Sequence, residues 1–575
     1  GKFSLNGHVN YNLNRNGNIS SMYQEQYLTG GNQYSASANE GNSKGRSVNS
    51  SLMGEWKVDK STRVNFSGNF GYTPNQNESN SQSASFDAPP GVNHENLFSD
   101  FESVPRDIKV NRSENRSRSE NESHRYHWAM GVMRRLNEKG TTLGLNIQNS
   151  DSWGNNESFS LSETTYFRLK DKNGNDSVLY RNQYLKSPQR NNSWRVGLSF
   201  TQPVGKKVRL RVAYNWSTRY ERSNRDTYEL SSLASSDIYG ELPSGYEAGY
   251  VDSLSNRSHS RSNGHDLNVG VNYSDDTWMF NASLGVTPQR RTIDRKVGKL
   301  YADTAMNMID FQPMIWMSWR KKEMRVSLNY NGNTRQPSLS DLMDNSNPLY
   351  ITRGNPDLKQ MFSHNIRLNF QNSPKGISAN LGGQVEQNSV TQVMIYDVQT
   401  GGRETYPVNI NGNWNLSGGA SWWKRFGHFS LRLDMSGNHS NRVGMINEDK
   451  SLQPEKSTTR DTGLNCEAQA SYQPSWGGID LSTSWNYQYS LNSLNDNDTY
   501  TRYYNFGLNG YVDFPFGLQL RTDATYNLRS GTNIQKGEDD EILWNAGATW
   551  RFLKKKEAEL SAYWADILGK KKSYG

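Results

Sequence analysis

Cysteine is almost missing from this chain, since Cys466 is the only one among 575 residues. A single thiol excludes a disulfide within the chain and a zinc site built from several cysteines. Long apolar runs are missing as well: hydrophobic residues make up 33% of the chain and the mean hydropathy is −0.91. No stretch approaches the ~20 apolar residues that a membrane-spanning helix needs. The sequence therefore excludes a helical membrane protein, and it is too poor in apolar residues for an ordinary soluble protein of this length.

Concentrated charge of one sign is also missing. The net charge is +8, but lysines and arginines are spread over the chain rather than gathered into one stripe. Nucleic-acid binding would need a concentrated basic surface, so we expect no nucleic-acid partner. Nucleophile-elbow, phosphate-loop and paired-carboxylate motifs are missing too, and we expect neither catalytic residues nor a cofactor.

What the chain does contain is alternation with a period of two, clearest between Trp194 and Trp216. The apolar positions there are Trp194, Val196, Leu198, Phe200, Val208, Leu210, Val212, Tyr214 and Trp216. The residues between them are polar or small, and a tight link, Pro203 to Lys207, separates the two arms. This pattern predicts two antiparallel strands with one apolar and one polar face, as in a membrane-spanning β-hairpin.

The same rhythm recurs along the whole chain and gives about 21 strands. Short links alternate with longer polar stretches, which is typical of a transmembrane antiparallel up-and-down β-barrel with short periplasmic turns and long extracellular loops. We expect a single barrel domain over residues 1–575. Because bacterial barrels usually close with an even number of strands, we expect about 22, the last one beyond Gly575.

Several segments are expected to lie outside the barrel wall. The polar stretches 14–46 and 74–123 predict loops at the outer rim. Further along the chain, Asn173-Gly174 predicts a type I′ turn. It belongs to a separate hairpin, residues 166–180, that is expected to stand above the barrel.

Tryptophans at the ends of the predicted strands are expected to form girdles at the membrane interfaces. The set is Trp56, Trp128, Trp194, Trp216, Trp278, Trp414, Trp422, Trp485 and Trp544.

Candidate metal ligands have simpler explanations. The histidine pairs His124 and His127, and His259 and His265, have no further ligand at suitable spacing, so we expect no metal site. Residues 171–176 and 495–498 resemble calcium loops only superficially, since neither completes the EF-hand pattern; turn formation explains them better. The acidic run 538–541 is expected to be a solvated loop.

One longer motif resembles a known family, the barrel of TonB-dependent outer-membrane receptors and the related Bacteroidetes outer-membrane β-barrel proteins. It reads Asn347-Pro348-Leu349-Tyr350-Ile351-Thr352-Arg353-Gly354-Asn355-Pro356-Asp357-Leu358-Lys359. Supporting matches are Gln202 to Lys207, Pro407 to Gly412 and Asp566 to Gly569. The chain has Gln360-Met361 where the family often has Pro-Glu. We expect Asn347, Pro348, Gly354, Asn355, Pro356, Asp357 and Leu358 to form a fixed turn in an outer loop, with ligand contact as the alternative.

The resemblance implies a 22-strand barrel and import of a bulky, unidentified solute. It also implies a plug and a TonB-contacting segment before Gly1, and a closing aromatic strand, none of which this sequence shows. Expected partners are outer-membrane lipid and lipopolysaccharide, TonB if that segment exists, and a surface lipoprotein. Two alternatives stay open: a non-transporting scaffold for partner proteins, and an open porin.

Overall fold

A computed structural model describes residues 2–26, 33–93, 96–233, 239–298, 300–338, 350–355, 357–397, 399–400, 402–447, 454–494, 498–532, 540–553 and 557–570. These residues form 24 β-strands and a few single 3-10 turns. The strands are β1 (Lys2–Gln26), β2 (Gln33–Lys57), β3 (Thr62–Phe86), β4 (Lys109–Arg135), β5 (Thr142–Lys170), β6 (Asp176–Val204), β7 (Val208–Glu229), β8 (Asn256–Ser274), β9 (Trp278–Val297), β10 (Leu300–Lys321), β11 (Met324–Arg335), β12 (Tyr350–Thr352), β13 (Met361–Asn372), β14 (Ile377–Gln387), β15 (Ser389–Asp397), β16 (Gly402–Ile410), β17 (Trp414–Phe426), β18 (Phe429–Asn447), β19 (Glu455–Tyr472), β20 (Gly477–Asn492), β21 (Asp498–Asp513), β22 (Leu518–Gly531), β23 (Asp540–Phe552) and β24 (Ala558–Trp564).

Twenty-one of these strands form one antiparallel meander, in which each strand pairs with the one before it. The run is β1 to β11, then β13 and β14, then β17 to β24. The predicted all-β, up-and-down class and the count of about 21 strands are therefore confirmed. Within the described residues β1 pairs only with β2 and β24 only with β23, so the sheet is not closed. Among the same residues, no helix has the length and apolar character to cross a membrane.

The two faces of the meander differ in chemistry, as the alternation predicts. Leu198 lies opposite Tyr214 and Phe200 opposite Val212, so the apolar residues of β6 and β7 share one face. These four side chains are 40–51% exposed. Large apolar side chains on a sheet face that no protein covers need a lipid environment. We call this the apolar face and the other the polar face.

At one end of the meander, the connections between strands are only two to six residues long. Gly376 shows why one of them is so compact: its φ is +65°, and a Cβ there would lie 1.9 Å from the carbonyl oxygen of Trp423. Only glycine allows both the conformation and the close approach. This end has the short turns expected on the periplasmic side.

At the opposite end of the meander, the structure contradicts the loops predicted from the sequence. The polar stretches 14–46 and 74–123 are largely strand, because β1 to β4 are 25–27 residues long. Cross-strand side-chain bonds accompany the backbone pairing: the Ser79 hydroxyl donates to Asn39 (2.5 Å) and that of Ser160 to Asn115 (3.1 Å). Both of these bonds lie on the polar face, and on the opposite face the Gln82 side-chain N–H donates to Glu114 (3.3 Å). Hydrogen bonding on both faces lets polar sequence continue the sheet where water bathes both sides. The long connections at this end are residues 87–108, 230–255, 336–360 and 388–413.

A hairpin does turn at Asn173-Gly174, as predicted for residues 166–180, but it is not separate from the meander. Its arms are continuous with β5 and β6, each 29 residues long. The connection is not a type I′ turn, because Gly174 has a positive φ (+82°) but Asn173 does not. Instead, Asp171 accepts hydrogen bonds from the backbone N–H groups of Asn173 and Asn175, both at 2.8 Å.

Two apolar clusters cover the far end of the long strands on the apolar face. Residues 87–108 fold over β2 to β4 and bury Phe86, Leu97 and Phe101 at 0–2% exposure. Tyr246, in the 230–255 connection, packs edge-on against Tyr184, with ring centroids 5.6 Å apart. Both long connections therefore dock onto the strands instead of extending into solvent.

Candidate functional site

Asparagine, serine and glycine dominate the polar face of the first five strands. The pairing places Asn10 beside Asn49 and Asn49 beside Gly71. Positions on this face of β1 are Ser4, Asn6, His8, Asn10, Asn12, Asn14, Asn16, Asn18 and Ser20. Such a surface is hydrated and carries little charge, and amides and hydroxyls on it can both donate and accept hydrogen bonds.

A second part of the polar face, on β14 and β17 to β21, carries a groove of about 670 Å³. Its lining includes Gln384, Asn415 and Gln488. Asp461 is held in place there, accepting from Arg442 Nε at 3.0 Å and from the Ser490 hydroxyl at 2.8 Å. The Arg442 side chain stays 71% exposed, so it can contact a solute in the groove.

A small unit of three strands, β12, β15 and β16, lies outside the meander. β15 and β16 form an antiparallel hairpin, while β12 pairs in parallel with β16 and β15 in parallel with the end of β18. Its tip reaches the first strands, because the Asn111 side-chain N–H donates to the carbonyl oxygen of Thr400 at 2.6 Å. Asn111 is on the polar face of β4, many strands away from β18. The hairpin therefore reaches across the polar-face side of the sheet, beyond the apolar belt.

The electrostatic surroundings of Tyr166 agree with this placement of the hairpin. Tyr166 is the β5 partner of Asn111, 24 residues beyond the short turn before β5 and outside the apolar belt. Burial raises the pKa of Tyr166; the charge of Arg181 opposes this shift, and the carboxylate of Asp397, on β15, adds to it.

The motif that carried the family resemblance fastens this hairpin. The Asn355 side-chain N–H donates to the carbonyl oxygen of Pro407 at 2.9 Å, and the N–H of Lys359 donates to Asn409 at 2.7 Å. Asn409 in turn donates to the carbonyl oxygens of Lys359 (3.0 Å) and Asn388 (2.9 Å). The two quoted segments thus meet at one junction, through Asn355 and Lys359 on one side and Pro407 and Asn409 on the other, which sequence reasoning did not foresee.

The remaining motif residues that the structure describes form a turn or pack against the protein. Asn355 accepts the N–H of Asp357 at 3.0 Å, a local turn beside Gly354. Leu358 is 7% exposed and packs against Ile293, on the polar face of β9. Asn347, Pro348 and Pro356 lie outside the described residues. The fixed-turn role of this set stays a prediction, and these contacts agree with it.

All nine predicted girdle tryptophans lie on the apolar face, at two levels. Trp56, Trp278 and Trp422 are within five residues of a short turn, and the other six are eight to thirteen residues away. Trp128 and Trp194 pack edge-to-face, 5.7 Å apart. Trp319, which the sequence analysis missed, lies opposite Trp278. Their interfacial role stays a prediction.

The other sequence candidates do not form sites. The register puts His124 on the apolar face, stacked on Trp153 at 5.0 Å, and His127 on the polar face. Residues 495–497 and 538–539 lie outside the described part of the chain; Glu541 accepts a hydrogen bond from Asn527 at 3.2 Å. Where the chain is described, no three His, Cys, Asp or Glu side chains are grouped as for a metal ion.

Comparisons with solved structures return receptors and a transporter at low sequence identity. The siderophore receptor PirA from Pseudomonas aeruginosa is 11% identical, with a TM-score of 0.35, over 96% of this chain and 80% of that one. The copper transporter OprC is 9% identical, with a TM-score of 0.44, over 89% of this chain and 74% of that one. The alcaligin receptor FauA from Bordetella pertussis is 10% identical, with a TM-score of 0.35, over 91% of this chain and 75% of that one.

Among curated protein sequences, no match to the chain is found. The model of the outer membrane protein beta-barrel family matches residues 134–458, more than half of the chain. These residues include β6 and β7, where the alternation is clearest, and the junction at Asn355. The chain therefore belongs to the outer membrane protein beta-barrel family, and it lies in the bacterial outer membrane with its apolar face toward lipid and its polar face toward the barrel interior.

Proposed function

We propose that the chain is the barrel of a TonB-dependent type of receptor, which imports a bulky polar solute through its interior. A barrel wall of 21 or more strands encloses a wide interior. Its polar face carries amides, hydroxyls and the ion pair of Arg442 with Asp461. Such a surface binds a hydrated solute better than an apolar one.

The observation that supports import most directly is the hairpin of β15 and β16. A rigid scaffold for external partners has no need for a segment inside its own wall. Here the hairpin spans the interior from the junction at Asn355 and Asn409 to Asn111 on β4. A segment in this position narrows the passage and contacts whatever passes.

The partners follow from the same proposal. Energised import requires TonB and a plug segment, and we propose that both act together with the single barrel domain formed by residues 1–575. A surface lipoprotein that delivers solute is a further proposed partner. The siderophore and copper named for the solved receptors belong to those proteins; the solute of this chain is not assigned.

A covalent lock on the hairpin tests the role of the interior. The variant Asn111→Cys with Thr400→Cys, in a Cys466→Ser background, places two thiols at the observed contact, and a short bis-maleimide joins them. Residues 1–575 alone, without the proposed plug, are reconstituted into liposomes, and swelling in the tetrasaccharide stachyose reports passage. We expect passage through the unlinked protein and at least several-fold slower passage after cross-linking.

A matched control places the two cysteines at Asn10 and Asn49, neighbours on the polar face away from the hairpin. Cross-linking this pair should leave swelling unchanged. If neither double-cysteine variant passes the sugar before cross-linking, the interior is not a route for solutes. Copurification of partners in a fixed ratio would then establish a scaffold.

The flanking gene sequence separates energised import from an open pore. A plug segment and a TonB-contacting segment encoded upstream of Gly1 would support import. A strand pattern that follows directly after a signal peptide would contradict it.

A further inference from the structure

Three arginines gather on the apolar face just beyond the belt of lipid-exposed residues. Arg190 lies directly opposite Arg222, on β6 and β7, and Arg222 lies directly opposite His259 on β8. Arg261 is the partner of Tyr220, one step closer to the belt. We call Arg190, Arg222 and Arg261 the arginine patch.

This arrangement has an electrostatic cost that the chain does not fully offset. Like charges directly opposite each other on a sheet are destabilising. Arg190 is paired, since its Nη2 lies 2.8 Å from Asp151. For Arg222 and Arg261, no carboxylate of the described residues lies within 4.0 Å, and both side chains are exposed. With its amide oriented to accept, Asn224 is 3.1 Å from Arg222, but an amide carries no charge.

The height of the patch matches a lipid headgroup. Trp194 and Trp216 mark the upper end of the apolar belt, and Tyr220 and Arg222 follow Trp216 by four and six residues along β7. At about 3.3 Å per residue and a tilt near 40°, these positions lie about 10 and 15 Å above Trp216. An arginine side chain can reach down from there to the boundary of the acyl chains.

From this placement we propose that the arginine patch binds the phosphates of a glycolipid of the outer leaflet, the lipid A part of lipopolysaccharide. The planar guanidinium group binds phosphate oxygens through paired hydrogen bonds, and a cluster of basic residues beside a membrane-spanning surface attracts anionic headgroups. The acyl chains of the same lipid lie against Val212 and Leu198 below the patch. This inference depends on the outer-membrane location and not on the proposed import.

The test compares lipid retention by the purified, delipidated full chain. The probe is bisphosphorylated lipid A, measured by native mass spectrometry beside its dephosphorylated form. The double variant R222Q and R261Q removes the two arginines that lack a carboxylate. The control R209Q and R211Q removes two arginines from the polar face and changes the net charge equally.

We expect the wild type to retain about 10- to 30-fold more bisphosphorylated lipid A than R222Q and R261Q. The control should behave like the wild type. Equal retention by wild type and the double variant would overturn the proposal. So would equal retention of phosphorylated and dephosphorylated lipid by the wild type, a comparison that needs no variant to fold.

Discussion

The side-chain amide of Asn355 donates a hydrogen bond to the carbonyl oxygen of Pro407 at 2.9 Å, joining two segments that are 52 residues apart. Together with the bonds between Asn409 and Lys359, this contact fixes the base of the hairpin that crosses the barrel interior. The residues that most resemble the family are thus those that hold an internal segment in place.

Replacing Asn355 by alanine should loosen the hairpin without unfolding the barrel. The lost hydrogen bond leaves a partly buried carbonyl group without its partner, at a cost of about 1–3 kcal/mol. Hydrogen exchange should become faster in residues 389–410 and stay unchanged in β1 to β9. Asn69→Ala, on the polar face of β3, is the control. Equal effects of both variants would contradict a specific junction.

The two faces predict opposite tolerance of charge. Val212 is 43% exposed on the apolar face, five residues from the short turn, which places it near the middle of the bilayer. Val212→Arg should lower the free energy of unfolding in lipid vesicles by about 2–4 kcal/mol. The neighbouring change Arg211→Val, on the polar face, should cost much less. Similar losses in a urea titration would show that the assigned faces are wrong.

The single cysteine offers a direct test of the membrane-facing surface. Cys466 lies opposite Met435 and Trp485 on the apolar face. An environment-sensitive fluorophore on Cys466 should be quenched by brominated lipids. In the control, Cys466→Ser with Asn465→Cys moves the label by one residue to the polar face, where quenching should be weak. Strong quenching at both positions would contradict this orientation.

Asp59 predicts an acid-sensitive turn between β2 and β3. Its carboxylate accepts hydrogen bonds from the hydroxyl and N–H of Ser61 (2.7 and 2.6 Å) and from the N–H of Thr62 (2.8 Å), which lowers its pKa to about 2. Because the pKa is lower in the folded state, this contribution is present above the unfolded value of 3.8 and is lost as the pH falls toward 2.

The variant Asp59→Ala should therefore be less stable than the wild type at pH 6, and the difference should vanish near pH 2. Thermal unfolding in detergent across this range measures it. Asp276→Ala, in another short turn, is the control, because the Asp276 side chain has no hydrogen bond among the described residues. A difference that persists unchanged at pH 2 would exclude the carboxylate as its cause.

The meander could be predicted because lipid imposes a simple rule on alternate residues. Val212 and Leu198 must be apolar and Arg211 need not be, so each membrane-spanning arm carries its own signal. The count of 21 followed, since short turns separate the arms. Beyond the belt both faces are wet, the alternation disappears, and polar strands such as the second half of β1 look like loops.

The interior site could not be predicted, for a different reason. The contact between Asn111 and Thr400 joins residues 289 apart, and no periodic pattern marks either one. The Arg442 and Asp461 pair lies on neighbouring strands whose register depends on the whole sheet. Only the junction had a sequence signal, in the segments around Asn355 and Asn409, and that signal did not show that the two segments meet.

The two apolar clusters on the long strands have a consequence for local opening of the sheet. Between the clusters around Phe86 and Tyr184 and the lipid belt, β1 to β6 are polar on both faces, so little hydrophobic burial stabilises this zone. Its amide protons are nevertheless flanked by anchored structure on both sides. In β2 to β6, which are paired on both sides, opening cannot begin at an end and proceed inward, and slow exchange should extend across a stretch whose composition resembles that of an unstructured linker.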